Sequence, residues 1–171
     1  MRVERRKSTV VLAGVALALL AGCGGSHRRH AAGELECMER AMYFESLRSS
    51  RDGMVAVGSV VMNRVASSEF PGSVCAVVGQ KNQFAPGIMR RDMGGPTMPV
   101  VREAAMSVLQ GERHPLVGNA QFFHAASYRA SYNNMHYVLT TGGNAFYEKR
   151  RPENVTRPNP PGALEGLTGR S

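Results

Sequence analysis

The apolar positions of this chain fall into a short run near its start, a first half spaced as helix, and a second half whose spacing shortens to that of strands. Leu35, Met38, Ala41, Met42 and Glu45 follow one another at steps of three, three, one and three, which places them on one helical face. A polar turn follows. A second helix is predicted after it, with Asp52 as N-cap ahead of Gly53 and with Val57, Val60, Val61 and Val65 as its buried stripe. Ser67 to Ser73 contains Phe70-Pro71-Gly72 and turns the chain into a short apolar segment, Val74 to Val78. From Ala85 to Pro99 glycines, prolines and charges break every period, so a long loop is expected there as one wall of a cleft. Pro99 suits the first turn of a further helix, with Val101, Ala104, Ala105 and Val108 as its apolar face and Gly111 closing it. Ala120 to His124 reads as a strand, and Met135 to Thr140 with Asn144 to Tyr147 as a hairpin about Gly142-Gly143. The segment 150–171 holds four of the nine prolines and no apolar period, and is expected to be disordered. The pattern predicts one compact α+β domain, mostly helical with a small antiparallel sheet.

Glu45 is the position that calls for chemistry. A lone acid on an apolar face has a plain reading, in which it sits at the rim in water or pairs with Arg48 three residues on. In the other reading the apolar surroundings disfavour its charged form and hold it partly protonated near neutral pH, as a general acid must be.

A length of 171 residues suffices for one domain with a real core and not for two ordinary ones. Residues 1–22 are set apart from it as a leader. Arg2, Arg5, Arg6 and Lys7 form a basic start, Thr9 to Leu20 is apolar but short for a membrane helix, and Leu20-Ala21-Gly22-Cys23 resembles the lipobox of bacterial lipoproteins. That resemblance implies cleavage before Cys23, acylation of its sulfur, and residues 23–33 as a tether between the membrane and the folded domain. The alternatives are an ordinary signal peptide with an accidental cysteine, or an uncleaved anchor. With Cys23 committed to lipid, Cys37 and Cys75 remain as an even pair, which in an exported domain favours a disulfide. No Cys-x-x-Cys is present and no histidine stands at ligand spacing from either sulfur, so no metal is expected. The net charge of +8 lies at the ends, because residues 31–148 carry ten basic and ten acidic groups. A folded basic face for nucleic acid is therefore not expected.

The runs CMERAMYFES, GMVAVGSVVMNRV and FPGSVCAVVGQKNQF occur in that order, and from about Glu36 to Lys149 the chain resembles the SleB-type cell-wall hydrolase family, whose members cut the glycan of peptidoglycan. The resemblance implies a lysozyme-like domain over 34–149, peptidoglycan as partner, no cofactor, and a place in the cell envelope facing the periplasm. It implies Glu45 of Tyr43-Phe44-Glu45 as the catalytic residue, with Tyr43, Gln83, Phe84, His124 and Tyr147 around the substrate. An amide beside an aromatic ring suits a sugar, since the amide bonds hydroxyl or N-acetyl groups and the ring covers an apolar sugar face. Phe84 reads equally well as a plug of the core, and a strand histidine is more often a satisfied structural group. The chain departs from many relatives at Ser49, where they carry a second glutamate, and at Asn144, where they carry a histidine. The expected reaction is cleavage of the β-1,4 bond between N-acetylmuramic acid and N-acetylglucosamine. With no motif supplying a second carboxylate, a route with one acid is favoured. A non-catalytic peptidoglycan-binding lipoprotein, and an amidase or peptidase of the stem peptide, are the rival expectations.

Overall fold

The computed structural model describes residues 24–46 and 50–169, with side chains from residue 33 onward. The leader, Cys23, Arg48 and Ser49 lie outside these described residues.

Helix α2 (Arg51–Val65) is the element the others surround, and its residues Met54 to Val61 are all buried. A helix apolar on every side has to be a central one. On it pack α1 (Gly24–Glu45), through Met38, Ala41 and Met42, and α4 (Met98–Leu109), through Val101, Ala104, Ala105 and Val108. Gly58 lets the three approach: a Cβ there would lie 2.4 Å from the Met42 methyl and 3.2 Å from both Val108 methyls. Each valine so buried contributes about 1.5–3 kcal/mol relative to an exposed one.

The predicted apolar segment 74–78 is a short helix, α3 (Val74–Val78), capped by the Ser73 hydroxyl, which accepts the Ala76 N–H at 3.3 Å. Cys37 and Cys75 form the expected disulfide, with their Cα atoms 5.1 Å apart, and fasten α3 to α1. Closing a loop of 38 residues is worth about 3–4 kcal/mol in the chain-entropy account.

The sheet is antiparallel in the order β1-β3-β2, from β1 (Phe122–Ala125), β2 (Met135–Thr141) and β3 (Asn144–Lys149). Phe123, Leu139 and Phe146 pack toward the helices, while Phe122, Tyr137 and Tyr147 cluster on the other face. The hairpin turns at Gly142 and Gly143, with φ of 54° and 78°, as a two-residue loop requires. Its tip meets the first turn of α2 backbone to backbone, since a Cβ on Gly53 would come within 2.6 Å of the Gly142 Cα.

Two expectations are corrected. Ser50 is the N-cap of α2, its hydroxyl accepting the Gly53 N–H at 3.1 Å. Asp52 is instead buried, and accepts the N–H groups of Leu167 and Thr168, each at 2.7 Å, and the Thr168 hydroxyl. Those partners belong to the segment expected to be disordered, which instead runs through a 3-10 turn (Pro152–Asn154) and along the outer edge of β2. The Tyr137 N–H donates to the Arg157 carbonyl at 3.0 Å, the Leu164 N–H to the Thr140 carbonyl at 2.9 Å, and the Gly142 N–H to the Glu165 carboxylate at 2.8 Å. An edge strand and a buried carboxylate both need polar partners, and a stretch without apolar period supplies them through its backbone. Residues 24–33, expected as a tether, are helical and continue into α1.

Candidate active site

Glu45 is the last residue of α1, one step beyond Met38, Ala41 and Met42 on their buried face. A helix end leaves carbonyls without partners, and here the Asn144 side-chain amide donates to the Glu45 carbonyl at 2.6 Å. Asn144 opens β3, so the sheet fixes the end of the helix that carries the acid. The Glu45 side chain is half-buried and accepts the Ala85 N–H at 2.6 Å. Burial pushes its carboxyl above the usual range, against the Ala85 N–H and the charges of Arg64 and Arg91, which favour the anion.

Glu39, one and a half turns earlier on α1, is the other glutamate that burial pushes upward, with Arg102 opposing. Its carboxylate is 3.1 Å from the Arg102 guanidinium and joins α1 to α4. Among the described residues the Glu45 carboxylate is bonded by a backbone N–H instead, on one of its oxygens.

Arg64 lies in the last turn of α2 and is 3% exposed. Its guanidinium carbon stands 5.1 Å from the ring centre of Phe70, 5.3 Å from that of Phe84 and 5.6 Å from that of Phe122. Its Nε donates to the Gln121 carbonyl at 2.7 Å, while Nη1 has no hydrogen-bond partner among the described residues. Burial pushes this arginine down to about 10, with Tyr147 and Glu45 favouring its charge.

Phe84 packs into the core, its ring centre 6.3 Å from that of Phe123. It also walls a surface cavity of about 380 Å³ with Gln80, Ala85 and Ile88. Gln83 is exposed, its N–H bonded to the Gln80 carbonyl at 3.3 Å, and does not line that cavity. The Tyr43 hydroxyl donates to the Gly94 carbonyl at 2.8 Å and ties α1 to the long loop. His124 has both ring nitrogens engaged. Nδ1 is 2.9 Å from the Ala125 carbonyl, which only accepts, so in the neutral ring Nδ1 holds the proton and Nε2 accepts the Tyr137 hydroxyl at 2.8 Å. Tyr147 is stacked on Phe122 with ring centres 5.6 Å apart, and lies close enough to Arg64 to act on its charge.

The structure therefore brings Glu45, the Phe84-Ala85 segment, Asn144 and Arg64 to one place, with Tyr147 acting on Arg64 and its ring centre 5.7 Å from that of His124, which the Tyr137 hydroxyl also bonds. Sequence reasoning missed Arg64, although Val57, Val60, Val61 and Arg64 repeat the spacing that singled out Glu45. Among the described residues no group of three or more His, Cys, Asp or Glu side chains is placed to hold a metal ion, and no helix is long and apolar enough to cross a membrane.

The family model described as Cell Wall Hydrolase matches residues 48–147, a span that starts just past Glu45 and includes Arg64, Phe84, His124, Asn144 and Tyr147. Among solved structures, the catalytic domain of the germination-specific lytic transglycosylase SleB from Bacillus anthracis superposes with a TM-score of 0.56 at 24% identity, over 68% of this chain and 94% of that one. The catalytic domain of the Bacillus cereus SleB protein gives a TM-score of 0.58 at 24% identity, over 68% and 91%. Among curated proteins none matches.

Proposed function

Because the chain belongs to the cell wall hydrolase family, we propose that it cuts the glycan of peptidoglycan at the β-1,4 bond between N-acetylmuramic acid and N-acetylglucosamine, with Glu45 as its only acid and base. The observation that supports the reading is the state of Glu45: burial favours its protonated form, and among the described residues the Ala85 N–H is the hydrogen bond that holds its carboxyl. Glycosidases with two carboxylates need the second at a fixed separation, as nucleophile or as base for water. In the route with one acid, Glu45 gives its proton to the glycosidic oxygen as the bond to C1 of the muramic acid breaks. The C6 hydroxyl of the same sugar attacks C1 and passes its proton to the Glu45 carboxylate, which restores the acid. No water is consumed, and the products are a free 4-hydroxyl and a 1,6-anhydro end. Gln83, exposed two residues before Ala85, is the proposed amide for sugar hydroxyl or N-acetyl groups, and Tyr43, Phe84, His124 and Tyr147 are the other residues proposed around the substrate.

Sacculi digested by the protein, with the fragments weighed by mass spectrometry, test the bond and the route together. Anhydro ends are expected. Reducing ends would keep the glycosidase and overturn the route with one acid, and release of peptides alone would move the assignment to an amidase or peptidase.

Acylation of Cys23, with the domain held at the membrane on its periplasmic side, is the proposed placement, supported by the leader sequence. A fatty-acid label should mark the wild type and be absent from Cys23→Ala; equal labelling of both would remove the anchor.

A further inference from the structure

Packing alone does not call for a cation at position 64. The side chain stands where an apolar residue would complete the face begun by Val57, Val60 and Val61, it is 3% exposed, and three phenylalanine rings surround it. A methionine there would lose the Nε–H bond to the Gln121 carbonyl but would fill similar space with no desolvated charge and no buried donor lacking a partner, whereas Arg64 carries both. Such a cost is retained where the charge acts on something.

What it acts on is set by its neighbours. The ring of Phe84 lies 5.3 Å from the guanidinium carbon, and the next residue, Ala85, gives its N–H to Glu45 at 2.6 Å. Among the described residues this N–H, Arg64 from α2 and Arg91 from the long loop act on the Glu45 carboxyl, with Asn144 of β3 on its main-chain carbonyl. Arg91 sits over the Phe44 ring at 4.2 Å and belongs to an exposed stretch, so water screens it. Arg64 is the buried one, and a charge away from water acts more strongly at a given distance.

We propose that Arg64 is a positioning residue for the acid: it holds the Phe84-Ala85 segment against Glu45 and supplies the fixed positive charge that stabilises the Glu45 carboxylate once its proton has left. The inference rests on Glu45 being the acid of the reaction. In the route with one acid the same group must give a proton up and take one back within one cycle. A carboxyl governed by burial alone would hold its proton too tightly, and a buried cation acting on it restores the balance without opening the site to water.

The test reads the coupling itself and needs no glycan. In the full chain, an NMR pH titration follows the Glu45 carboxyl carbon and the Arg64 Nε–H together. The Arg64 signal should move at the same midpoint as Glu45 in the wild type, and this movement should vanish in Glu45→Gln. In Arg64→Met and Arg64→Gln the Glu45 midpoint should rise by about one pH unit, the size expected when an opposite charge near a carboxyl is removed. The pH above which sacculus cleavage fails should rise with it. Arg64→Lys, which keeps the charge and loses the flat stacking surface, should leave the midpoint close to that of the wild type. An Arg64 signal that stays flat through the ionisation of Glu45, or a folded Arg64→Met with an unchanged Glu45 midpoint, overturns the proposal. If the methionine variant does not fold, the wild-type titration decides alone. A failure to cleave any sacculus would count against Glu45 as a catalyst and leave the coupling between the two residues measurable, so the two ideas fail separately.

Discussion

Met38, Ala41, Met42 and Glu45 on α1 repeat the spacing of Val57, Val60, Val61 and Arg64 on α2, so each helix carries three buried apolar residues and then a charge on the same face. The surroundings of the two charges differ. Glu45 is half-buried, held by one N–H and reachable from solvent, whereas Arg64 is enclosed by Phe70, Phe84 and Phe122. An acid has to meet its substrate, while a cation that acts through its field does so best from inside. The same pattern thus yields one group poised for proton transfer and one that belongs to the core.

If that difference is real, stability and activity should separate between the two sites. Arg64→Ala empties a caged position and should lower stability by about 2–4 kcal/mol in urea unfolding, as truncations of large buried side chains do. Glu45→Ala should cost less than about 1 kcal/mol, the scale of a surface change. Equal losses at the two positions would break the comparison.

A smaller effect is expected where the sheet meets the acid. Asn144→Ala removes the amide that bonds the Glu45 carbonyl at 2.6 Å. The change should cost about 1 kcal/mol of stability and slow cleavage by about ten- to a hundredfold, because the last turn of α1 no longer holds the acid in place. A variant with lowered stability and unaltered kcat would assign Asn144 to packing alone.

The smallest effect is one of pH. Burial raises the Glu45 carboxyl in the folded state, so its contribution to stability is full at low pH and is lost as pH rises through that raised value. Glu45→Gln escapes the loss, and should melt slightly higher than the wild type above neutrality and level with it below the carboxylate range. Asp52 runs the opposite way. Burial pushes it up, but the Thr168 hydroxyl and the N–H groups of Leu167 and Thr168 outweigh that and lower it, so its contribution is lost as pH falls. A thermal melt series over pH that showed Glu45→Gln gaining stability only in acid would reverse the sign assigned to Glu45.

Much of the domain was legible in the chain because local spacing decides it. The faces of α1, α2 and α4, the hairpin about Gly142-Gly143 and the pairing of Cys37 with Cys75 all follow from residues close in sequence or from counting cysteines. Five residues are too few to show a helical period, so α3 read only as an apolar segment. The C-terminal segment escaped notice because backbone bonds and the buried Asp52, more than 110 residues away, hold it, and neither leaves a hydrophobic pattern. Glu45 stood out as a charge on an apolar face. Arg64 obeyed the same rule, but Val65 beside it completed a valine stripe and hid it. Phe84 remained undecided, since no spacing tells a ring that meets a sugar from one that fills the core; the fold places it in the core, under the guanidinium.

The central claim is that Glu45 moves the proton, and turnover of sacculi by folded Glu45→Gln tests it most directly. Glutamine keeps the size of the side chain and an oxygen for the Ala85 N–H, but has no proton to give. Cleavage should fall by about a hundred- to ten-thousandfold, with the thermal melt and sacculus binding retained. Turnover within a few-fold of the wild type, by protein shown to be folded, would contradict the account.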